Sequence, residues 1–368
     1  MQVLVTGANG FMGMNLVAHL RERAGMEVLT FLTGEPLEAL AQKVAQADFV
    51  FHLAGVNRPQ SESEFAVGNT DLTKALCDAV QASGRAVPIV YTSSIQAQRS
   101  NAYGISKLMA EDALRQLSSE TGAPVYIYRL PNVFGKWARP NYNSAVATFC
   151  HNIVHDVPIQ INDPSSVINL VYVDDVMSDF LSVMENKPEP AHFQEIQPVY
   201  EITVGALAAL LRTFKESRVN LITEPVGTGL TRALYSTYIS YFAPEQFSYS
   251  LTKHEDPRGV FVEMLKTHDA GQFSYFTAHP GITRGGHYHH TKTEKFLVIR
   301  GEARFGFRHI ATGATHEHFT SAQTPEVVET IPGWSHDITN VGSDEMIVML
   351  WANEIFDRQH PDTVTYKV

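Results

Sequence analysis

The spacing of apolar residues divides the chain into two parts. In residues 1–180, short apolar runs alternate with longer amphipathic ones. The short runs are rich in β-branched or aromatic residues and stop at Gly, Ser or Pro, which is typical of strands: QVLVTG, DFVFHLAG, PIVYTSS and VYIYRLPNV. The longer runs have helical spacing, as in GFMGMNLVAHLRER and SKLMAEDALRQLSSETG. Strands that alternate with helices predict a parallel sheet covered on both faces.

The pattern changes near residue 237. The stretch STYISYFAPEQFSYSL is interpreted as an aromatic, helix-poor connection. Beyond it the apolar runs are short, alternating and closely spaced by turns, as in QFSYFTA, KFLVIRG, EARFGFRHI and EMIVMLWAN, which predicts an antiparallel β-sandwich or barrel. A chain of 368 residues also exceeds the size at which single cores stop growing. We therefore predict an α/β domain in residues 1–243 and an all-β domain in residues 244–368.

The composition narrows the possible partners and the compartment. A net charge of −11 disfavours nucleic acid and anionic membranes as partners. No apolar run approaches the ~18 residues of a membrane span, so membrane insertion is not expected. The start, MQVLVTGANG, lacks the basic residues of a signal peptide, and we expect a cytoplasmic protein. Cys77 and Cys150 lie in helix-like apolar runs and are expected to be buried free thiols.

A glycine-rich turn follows the first predicted strand. VTGANGFMG places Gly7, Gly10 and Gly13 between that strand and a helix. Glycines there permit a tight turn and a close approach of the backbone to a pyrophosphate, which then lies at the positive end of the helix. The strand–loop–helix context favours nucleotide binding over a glycine turn without a ligand.

Three residues form a candidate catalytic group. Tyr103 and Lys107 are four positions apart on a predicted helix and so share a face. An ammonium beside a phenol is expected to lower the tyrosine pKa toward working pH. Tyr103 would then act as general acid toward a carbonyl oxygen, with Ser94 as a second hydrogen-bond donor. Such a tyrosine–lysine pair also arises by chance, and its position after the strand PIVYTSS is the stronger signal.

These motifs together resemble the extended short-chain dehydrogenase/reductase family over residues 1–240. The matching features, in the family's order, are the glycine turn, HLAG (52–55), Asn69, Ser94, Tyr103, Lys107, RLPNVFG (129–135) and YVDD (172–175). The resemblance implies a Rossmann sheet, a nicotinamide cofactor and a nucleotide-sugar substrate. It implies substrate contacts from Ser94 and Asn132. The implied cofactor contacts are Gly7, Gly10, Phe11, Met12, Gly13, His52, Leu53, Ala54, Asn69, Tyr103 and Lys107.

The end of the second predicted strand bears on the choice of cofactor. NAD binding requires an acid there for the ribose hydroxyls. VLTFLTGE offers Thr30 and Thr33, while Glu35 falls beyond the strand, so NADP(H) is predicted although no arginine is present for its extra phosphate. Between MEVLTFL and DFVFHLAG there is room for one helix, so a strand usual in this architecture is expected to be missing.

The second domain carries a candidate metal site. In HYHHTKTE, His287 and His289 are two apart on a predicted strand and point to one face, and Glu294 follows a short turn. His336, in IPGWSHDITN, belongs to a later strand. Three imidazoles and one carboxylate suit a divalent metal, for which we expect zinc. The alternative is a set of surface histidines on a solvated strand.

The second domain resembles the cupin family. The spacing Gly281-x5-His287-x-His289-x4-Glu294-x6-Gly301 fits the family's first motif without a gap, which implies a jelly-roll fold. The second motif fits loosely, since Pro332 and Gly333 are adjacent. DPRGVFVE is similar to a segment of the cupin-fold sugar-nucleotide 3,5-epimerases. That resemblance implies that Arg258 contacts a diphosphate and Glu263 the nucleotide or sugar, although the segment is also an ordinary turn before a strand.

Two further segments are VYIYRLPNVFGKWARPNYNSAVATFC in the first domain and HHTKTEKFLVI in the second. With them, the whole chain resembles the bifunctional capsule and O-antigen biosynthesis enzymes of the UDP-N-acetyl-L-fucosamine pathway. The resemblance implies that UDP-2-acetamido-2,6-dideoxy-β-L-arabino-hexos-4-ulose, a UDP-linked 4-keto-6-deoxy amino sugar, is epimerised at C3 and then reduced at C4. A homodimer is expected. Two alternatives stay open: a plain 4-ketoreductase whose cupin domain serves only oligomerisation, and a non-catalytic NADP-sensing protein.

Overall fold

The computed structural model describes residues 1–256, 259–262, 264–267, 271–354 and 359–368. Spatial contact divides the chain into two compact units. The first unit is Met1–Phe134, Asn141–Ser144 and Ile168–Glu201, and the second unit is Gly135–Pro140, Ala145–Val167 and Ile202–Val368. Each unit consists of three separate segments of the chain. The predicted domain boundary after residue 243 stays a prediction.

The elements up to residue 203 alternate between strand and helix. In chain order they are β1 Gln2–Thr6, α1 Phe11–Arg21, β2 Glu27–Phe31, α2 Leu37–Gln46, β3 Phe49–His52, α3 Ser63–Phe65, a π-helical turn Ala66–Asp71, α4 Leu72–Ser83, β4 Ile89–Ser94, a 3₁₀ turn Ile95–Gln98, α5 Ala102–Thr121, β5 Val125–Leu130, β6 Asn132–Phe134, α6 Ala145–Val154, β7 Val167–Tyr172, α7 Val173–Asn186 and β8 Tyr200–Thr203.

The remaining elements are two helices and many short strands. They are α8 Val204–Asn220, β9 Ile222–Thr223, α9 Gly229–Ile239, a 3₁₀ turn Pro244–Gln246, β10 Ser248–Ser250, β11 Lys253–Asp256, β12 Gly259–Val262, β13 Lys266–Thr267, β14 Gln272–Ala278, β15 Thr283–Tyr288, β16 Glu294–Arg300, β17 Glu302–His309, β18 Thr315–Ser321, β19 Glu326–Glu329, β20 Trp334–Asn340, β21 Met346–Ala352 and β22 Val364–Thr365.

The first unit contains a five-stranded parallel sheet in the order β2-β1-β3-β4-β5. Its central strands β1, β3 and β4 are almost wholly buried and largely apolar because helices cover both faces. Helix α4 packs between α2 and α5, and α1 packs on α7. One helix, α2, connects β2 to β3, so the predicted loss of a strand at this place is confirmed.

The second unit contains two five-stranded sheets in the orders β10-β19-β16-β21-β14 and β18-β17-β20-β15-β22. Neighbouring strands in both sheets run antiparallel, and the register is long between β17 and both β18 and β20. Aromatic residues join the sheets: the ring of Phe296 in β16 lies 5.7 Å from that of Phe305 in β17. An α/β Rossmann-type domain followed by an all-β cupin-type domain, as predicted, is confirmed.

The prediction of a helix-poor stretch from Ser236 onward is wrong for its first four residues. These residues form the last turn of α9, which ends at Ile239. The aromatic composition suggested otherwise, but the turn is stabilised by burial. Tyr235 and Tyr238 are nearly fully buried, and both rings pack against Phe214 of α8. Tertiary packing here overrides intrinsic helix propensity.

Both cysteines are buried and free, as predicted. Burial raises the pKa of the Cys77 thiol to about 12 and also raises that of Cys150. Each thiol therefore stays protonated and behaves as a small apolar group. Among the helices in the described part of the chain, none has the length and apolarity that crossing a membrane requires.

A buried ion pair ties helices of the second unit to its sheets. Lys295 of β16 pairs with Glu329 of β19, and each is about 2% exposed. Arg218 of α8 lies 3.6 Å from the same carboxylate. Tyr235 of α9 donates to it at 3.3 Å. The lysine raises the stability of the ionised carboxylate, so the pKa of Glu329 lies below its usual value despite burial.

Replacing Lys295 by Met should lower the free energy of unfolding by about 3–5 kcal/mol, because Glu329 is left buried without its closest cation. The double variant Lys295→Met/Glu329→Leu should lose less, since the uncompensated carboxylate is gone. Urea denaturation followed by tryptophan fluorescence reports this unit, because Trp137, Trp334 and Trp351 all lie in it.

Lys215→Met is the matched control for that experiment. Lys215 pairs with Asp156 in the same unit, but the two side chains are 39% and 84% exposed. An exposed pair contributes at most about 1 kcal/mol. Equal losses in Lys295→Met and Lys215→Met would contradict the assignment of a special role to the buried pair.

Candidate functional site

The glycine turn of the first unit has the geometry of an anion site. Gly7 has a φ of +69°, and a Cβ on it would lie 2.7 Å from the Cα of Ala54, so neither the conformation nor the space suits another residue. Gly10 caps α1 and, having no side chain, covers none of the N–H groups of its first turn. Phe11 and Met12 in this turn are half-buried, and Gly13 is buried. Exposed N–H groups at a helix start fit a pyrophosphate.

The His52 side chain is part of the scaffold. Its Nδ1 lies 2.7 Å from the hydroxyl of Thr6, and its Nε2 lies 2.9 Å from that of Thr73. The ring is fully buried, which lowers its pKa to about 3 and keeps it neutral. Any contact of this segment with a cofactor would therefore come from its backbone or from Leu53 and Ala54, which are half-buried.

The end of β2 differs from the sequence prediction. Glu35 folds back so that its carboxylate accepts a hydrogen bond from the N–H of Leu32 at 2.8 Å. Lys43 of α2 pairs with this carboxylate and donates to the carbonyl of Thr30 at 2.7 Å. The premise that no acid reaches the strand end is wrong. The strand end instead carries one paired acid and one ammonium.

Ser94 and Tyr103 meet at the end of β4. Ser94 is the last residue of the strand, and its hydroxyl accepts a hydrogen bond from the N–H of Gln96 at 3.1 Å and acts to lower the pKa of the Tyr103 phenol. Tyr103 lies in the first turn of α5, which Asn101 caps by accepting from the N–H of Gly104 at 2.7 Å. Lys107 follows one turn later, is 4% exposed, and donates to the carbonyl of Thr92 at 3.0 Å.

The protonation of these groups differs from the sequence prediction. Burial raises the pKa of Tyr103, and the nearby Ser94 hydroxyl only partly offsets this. Burial lowers the pKa of Lys107 to about 8, with Glu111 acting in the opposite direction. The expectation that Lys107 lowers the pKa of Tyr103 is wrong, because the lysine amine is directed to a backbone carbonyl. A protonated phenol at neutral pH is nevertheless the form that a general acid requires.

Asn69 holds the loop that lies beside Lys107. It comes from the π-helical turn before α4, and its side chain accepts from the N–H of Val56 at 2.9 Å and donates to the hydroxyl of Ser106 at 3.0 Å. A Cβ on Gly55 would lie within 3.1 Å of both the Asn69 amide and the Lys107 amine, so these two groups converge on one point. The two side chains therefore pack against Gly55, and their contact with a cofactor stays a prediction.

The substrate-side residues are placed less fully. Asn132 is exposed and donates to the carbonyl of Asn169 at 3.1 Å. Arg129 binds the buried carboxylate of Glu111 through two nitrogens, at 2.9 and 2.6 Å, which makes it part of the scaffold. Arg258 and Glu263 lie outside the described residues.

The four predicted metal ligands converge in the second unit. One possible ligand atom from each of His287, His289, Glu294 and His336 lies within 4.8 Å of the others. The Glu294 carboxylate is 3.2 Å from Nε2 of His289 and 3.4 Å from Nε2 of His336. His287 and His336 come from neighbouring strands of one sheet and Glu294 from the other, so the cluster lies between the two sheets.

A glycine pair aligns the first histidine with the last. The register of β15 against β20 shifts between Gly285 and His287, after which His287 is paired with His336. Gly285 and Gly286 have φ values of +98° and +78°, which residues with a Cβ rarely adopt. A β-bulge of this kind re-aims the side chains that follow it. The repeated glycine in GGHYHH is thus the local reason for the cluster.

The electrostatics of the cluster fit a divalent metal. Burial and the neighbouring imidazoles lower the pKa of His287 to about 3, and burial lowers the pKa of His336. Hydrogen bonds from two histidines hold the pKa of Glu294 well below its usual value. Neutral imidazoles and an ionised carboxylate are the forms that bind metals. The residues present therefore fit such an ion.

Sequence reasoning missed the role of Lys292. It lies in the turn between β15 and β16, as expected, but it is only 8% exposed and its amine reaches the Glu294 carboxylate at 2.9 Å. The pattern HHTKTE carries no signal for this, because a lysine in a polar turn is normally solvated. An ammonium is thus part of the cluster's surroundings.

Matches to two families follow the same order as the two folds. Residues 3–195 match the NAD dependent epimerase/dehydratase family. Residues 254–364 match the polysaccharide biosynthesis C-terminal domain. The two matches place a nicotinamide-dependent family in front and a polysaccharide-biosynthesis family behind.

Similar proteins extend over the full length. The chain is 61% identical to UDP-2-acetamido-2,6-beta-L-arabino-hexul-4-ose reductase of Pseudomonas aeruginosa, covering 100% of this chain and 99% of that protein. It is 40% identical to the capsular polysaccharide assembling protein CapF from Staphylococcus aureus, with a TM-score of 0.69 and 100% of both chains covered. A UDP-glucuronic acid 4-epimerase from Bacillus cereus is 18% identical, with a TM-score of 0.53, and the match covers 58% of this chain and 84% of that protein. At this identity the match shows only that the two proteins share a fold. The chain therefore belongs to the family of this reductase and CapF, in which an NAD dependent epimerase/dehydratase domain precedes a polysaccharide biosynthesis C-terminal domain.

Proposed function

We propose that the protein is a bifunctional enzyme acting on a UDP-linked 4-keto-6-deoxy amino sugar. Its all-β domain, residues 244–368, would epimerise C3 of UDP-2-acetamido-2,6-dideoxy-β-L-arabino-hexos-4-ulose, and its α/β domain, residues 1–243, would reduce the C4 ketone with NADPH. The observation that carries the proposal is the pair formed by Ser94 at the end of β4 and the buried Tyr103 in the first turn of α5, in a chain 61% identical to a UDP-sugar ketone reductase. The product is a precursor of UDP-N-acetyl-L-fucosamine for capsule or O-antigen.

The site in the α/β domain provides the proton for reduction. A bound nicotinamide supplies the hydride that C4 accepts. The phenol of Tyr103, kept protonated by burial, donates its proton to the C4 oxygen. Ser94 donates a hydrogen bond to the same oxygen and stabilises the charge that develops there. Lys107 and Asn69 hold the cofactor side of this site in place.

The same ketone explains the metal-type cluster. A carbonyl at C4 acidifies the C3–H, so that a base can remove the proton and return it on the other face. A divalent metal, for which the ligand set favours zinc, supplies Lewis-acid stabilisation of the charge on the C4 oxygen. The chain contributes four candidate ligands whose ligand atoms lie close together, namely His287, His289, Glu294 and His336.

Two other functions use the same folds. A plain 4-ketoreductase would use its second domain only for oligomerisation, and the buried ligand cluster argues against that because it has no purpose there. A protein that only senses NADP would need the glycine turn but not the Ser94–Tyr103 pair. Activity measurements on the two sites separate all three.

Tyr103→Phe should lower NADPH oxidation with the keto sugar by at least about 100-fold, because the hydroxyl that donates the proton is removed. Binding of NADPH, followed by fluorescence titration, should stay nearly intact. Tyr128→Phe is a matched control: this tyrosine is also buried in the first unit, where it donates to Asp179, and its loss should leave kcat almost unchanged. Near-normal turnover of Tyr103→Phe would exclude it as the acid.

NADPH should be preferred over NADH, and Lys43 should contribute to the preference. Its ammonium lies at the end of β2, where the extra phosphate of NADPH would bind. Lys43→Ala should lower kcat/KM for NADPH about tenfold while changing that for NADH little. Glu35→Gln should favour NADPH further, because a repelling carboxylate is removed. An advantage for NADH in the unmodified protein would refute the cofactor assignment.

The two activities should be separable. His287→Ala/His289→Ala should no longer exchange deuterium from solvent into C3 of the keto sugar, because the metal ligands are lost. It should still oxidise NADPH when given the epimerised intermediate. The control His316→Ala/His318→Ala removes a second His-x-His pair, on β18 of the same sheet, and should exchange normally. Normal exchange by a folded, metal-free cluster variant would show that the cluster is structural.

A further inference from the structure

The C-terminal segment of the chain runs along the proposed metal cluster. Strand β22 adds to the edge of β15, where Thr365 is paired with His287 and Val364 with Tyr288. The N–H of Tyr366 donates to the carbonyl of Gly286 at 2.8 Å, inside the glycine bulge. The segment thus holds the strand that supplies the first ligand.

Asp362, just before β22, holds the turn that connects the ligand strands. Its carboxylate accepts hydrogen bonds from three consecutive backbone N–H groups, those of His290 at 2.9 Å and of Thr291 and Lys292 at 2.7 Å each. The hydroxyl of Thr291 adds a fourth at 3.1 Å. Consecutive N–H groups that converge on one carboxylate form a fixed anion-binding turn.

The backbone carbonyl of Asp362 also orients a ligand. It is hydrogen-bonded to Nδ1 of His289, which must therefore carry the proton. The other ring nitrogen, Nε2, faces the cluster, 3.2 Å from the Glu294 carboxylate, and is the atom that would bind a metal. Histidine ligands of metals usually donate their other ring N–H in this way, which fixes both the tautomer and the ring orientation.

We infer that Asp362 is a positioning residue of the metal site, which sets the tautomer and the aim of His289 by anchoring the turn 290–292. The inference rests on the proposed metal role of the cluster. A residue with only a structural role would stabilise the protein without changing its affinity for a metal. The two roles therefore differ in a measurable quantity other than activity.

The test measures Zn²⁺ affinity by chelator competition on the full chain, together with the absorption spectrum of the Co²⁺-substituted protein. Asp362→Ala should lower Zn²⁺ affinity about 10–100-fold and change the Co²⁺ spectrum, because His289 loses its fixed orientation. Asp362→Asn keeps the size but places an amide against the N–H groups of the turn, so it should weaken affinity by a smaller factor in the same range. If Asp362→Ala does not fold, Asp362→Asn decides the question by the same criterion.

Asn340→Ala is the matched control. Asn340 is a buried residue of β20 whose side chain donates to the carbonyls of Ala278 and Asp344 and accepts from the N–H of Gly342. Its loss should lower the melting temperature without changing Zn²⁺ affinity. Affinities of folded Asp362 variants within about twofold of the unmodified protein would overturn the inference. A failure of the unmodified protein to bind Zn²⁺ would instead refute the metal site on which the inference rests.

Discussion

The carboxylate of Glu111 joins the elements that carry Ser94, Tyr103 and Lys107. It is fully buried, accepts a hydrogen bond from Ser93, and binds Arg129 of β5 through two nitrogens. Ser93 directly precedes Ser94 on β4, and Glu111 follows Lys107 by one turn of α5. A buried carboxylate is stable only when it is paired. The pairing of Glu111 therefore fixes the position of α5 along its axis relative to β4 and β5. The spacing between Ser94 and the residues of α5 depends on this interaction.

Strand β16 carries a comparable constraint in the second unit. Glu294 and Lys295 are successive residues and so point to opposite faces of the strand. The first joins the cluster with the histidines, and the second pairs with Glu329. A shift of one residue would place each charge in the environment built for the other, so the register of this strand is fixed from both faces. The position of the cluster's carboxylate follows from an ion pair that takes no part in the cluster.

Much of this arrangement is predictable because its signals are local. The strand–helix alternation, the glycine turn and the spacing of His287, His289 and Glu294 each lie within a short segment. What could not be predicted depends on contacts that the spacing of the residues does not indicate, whether the partners are near or distant in the chain. Glu35 reaches the end of β2 through a backbone turn and its pairing with Lys43. Asp362 contacts His289 and the turn 290–292, which lie 70 to 73 positions earlier, and its surrounding sequence has no periodicity that indicates a partner.

Under the proposed function the two reactions have a necessary order. The C3 proton is acidic only while C4 is a carbonyl, since reduction to an alcohol removes the group that stabilises the charge. Epimerisation therefore has to precede hydride transfer, and reduction makes the new configuration at C3 permanent. The reductase site of the α/β domain must then reduce the substrate that has not been epimerised more slowly. Such discrimination has to come from groups that contact the sugar, because Tyr103 and Ser94 both address the C4 oxygen, which the two epimers share.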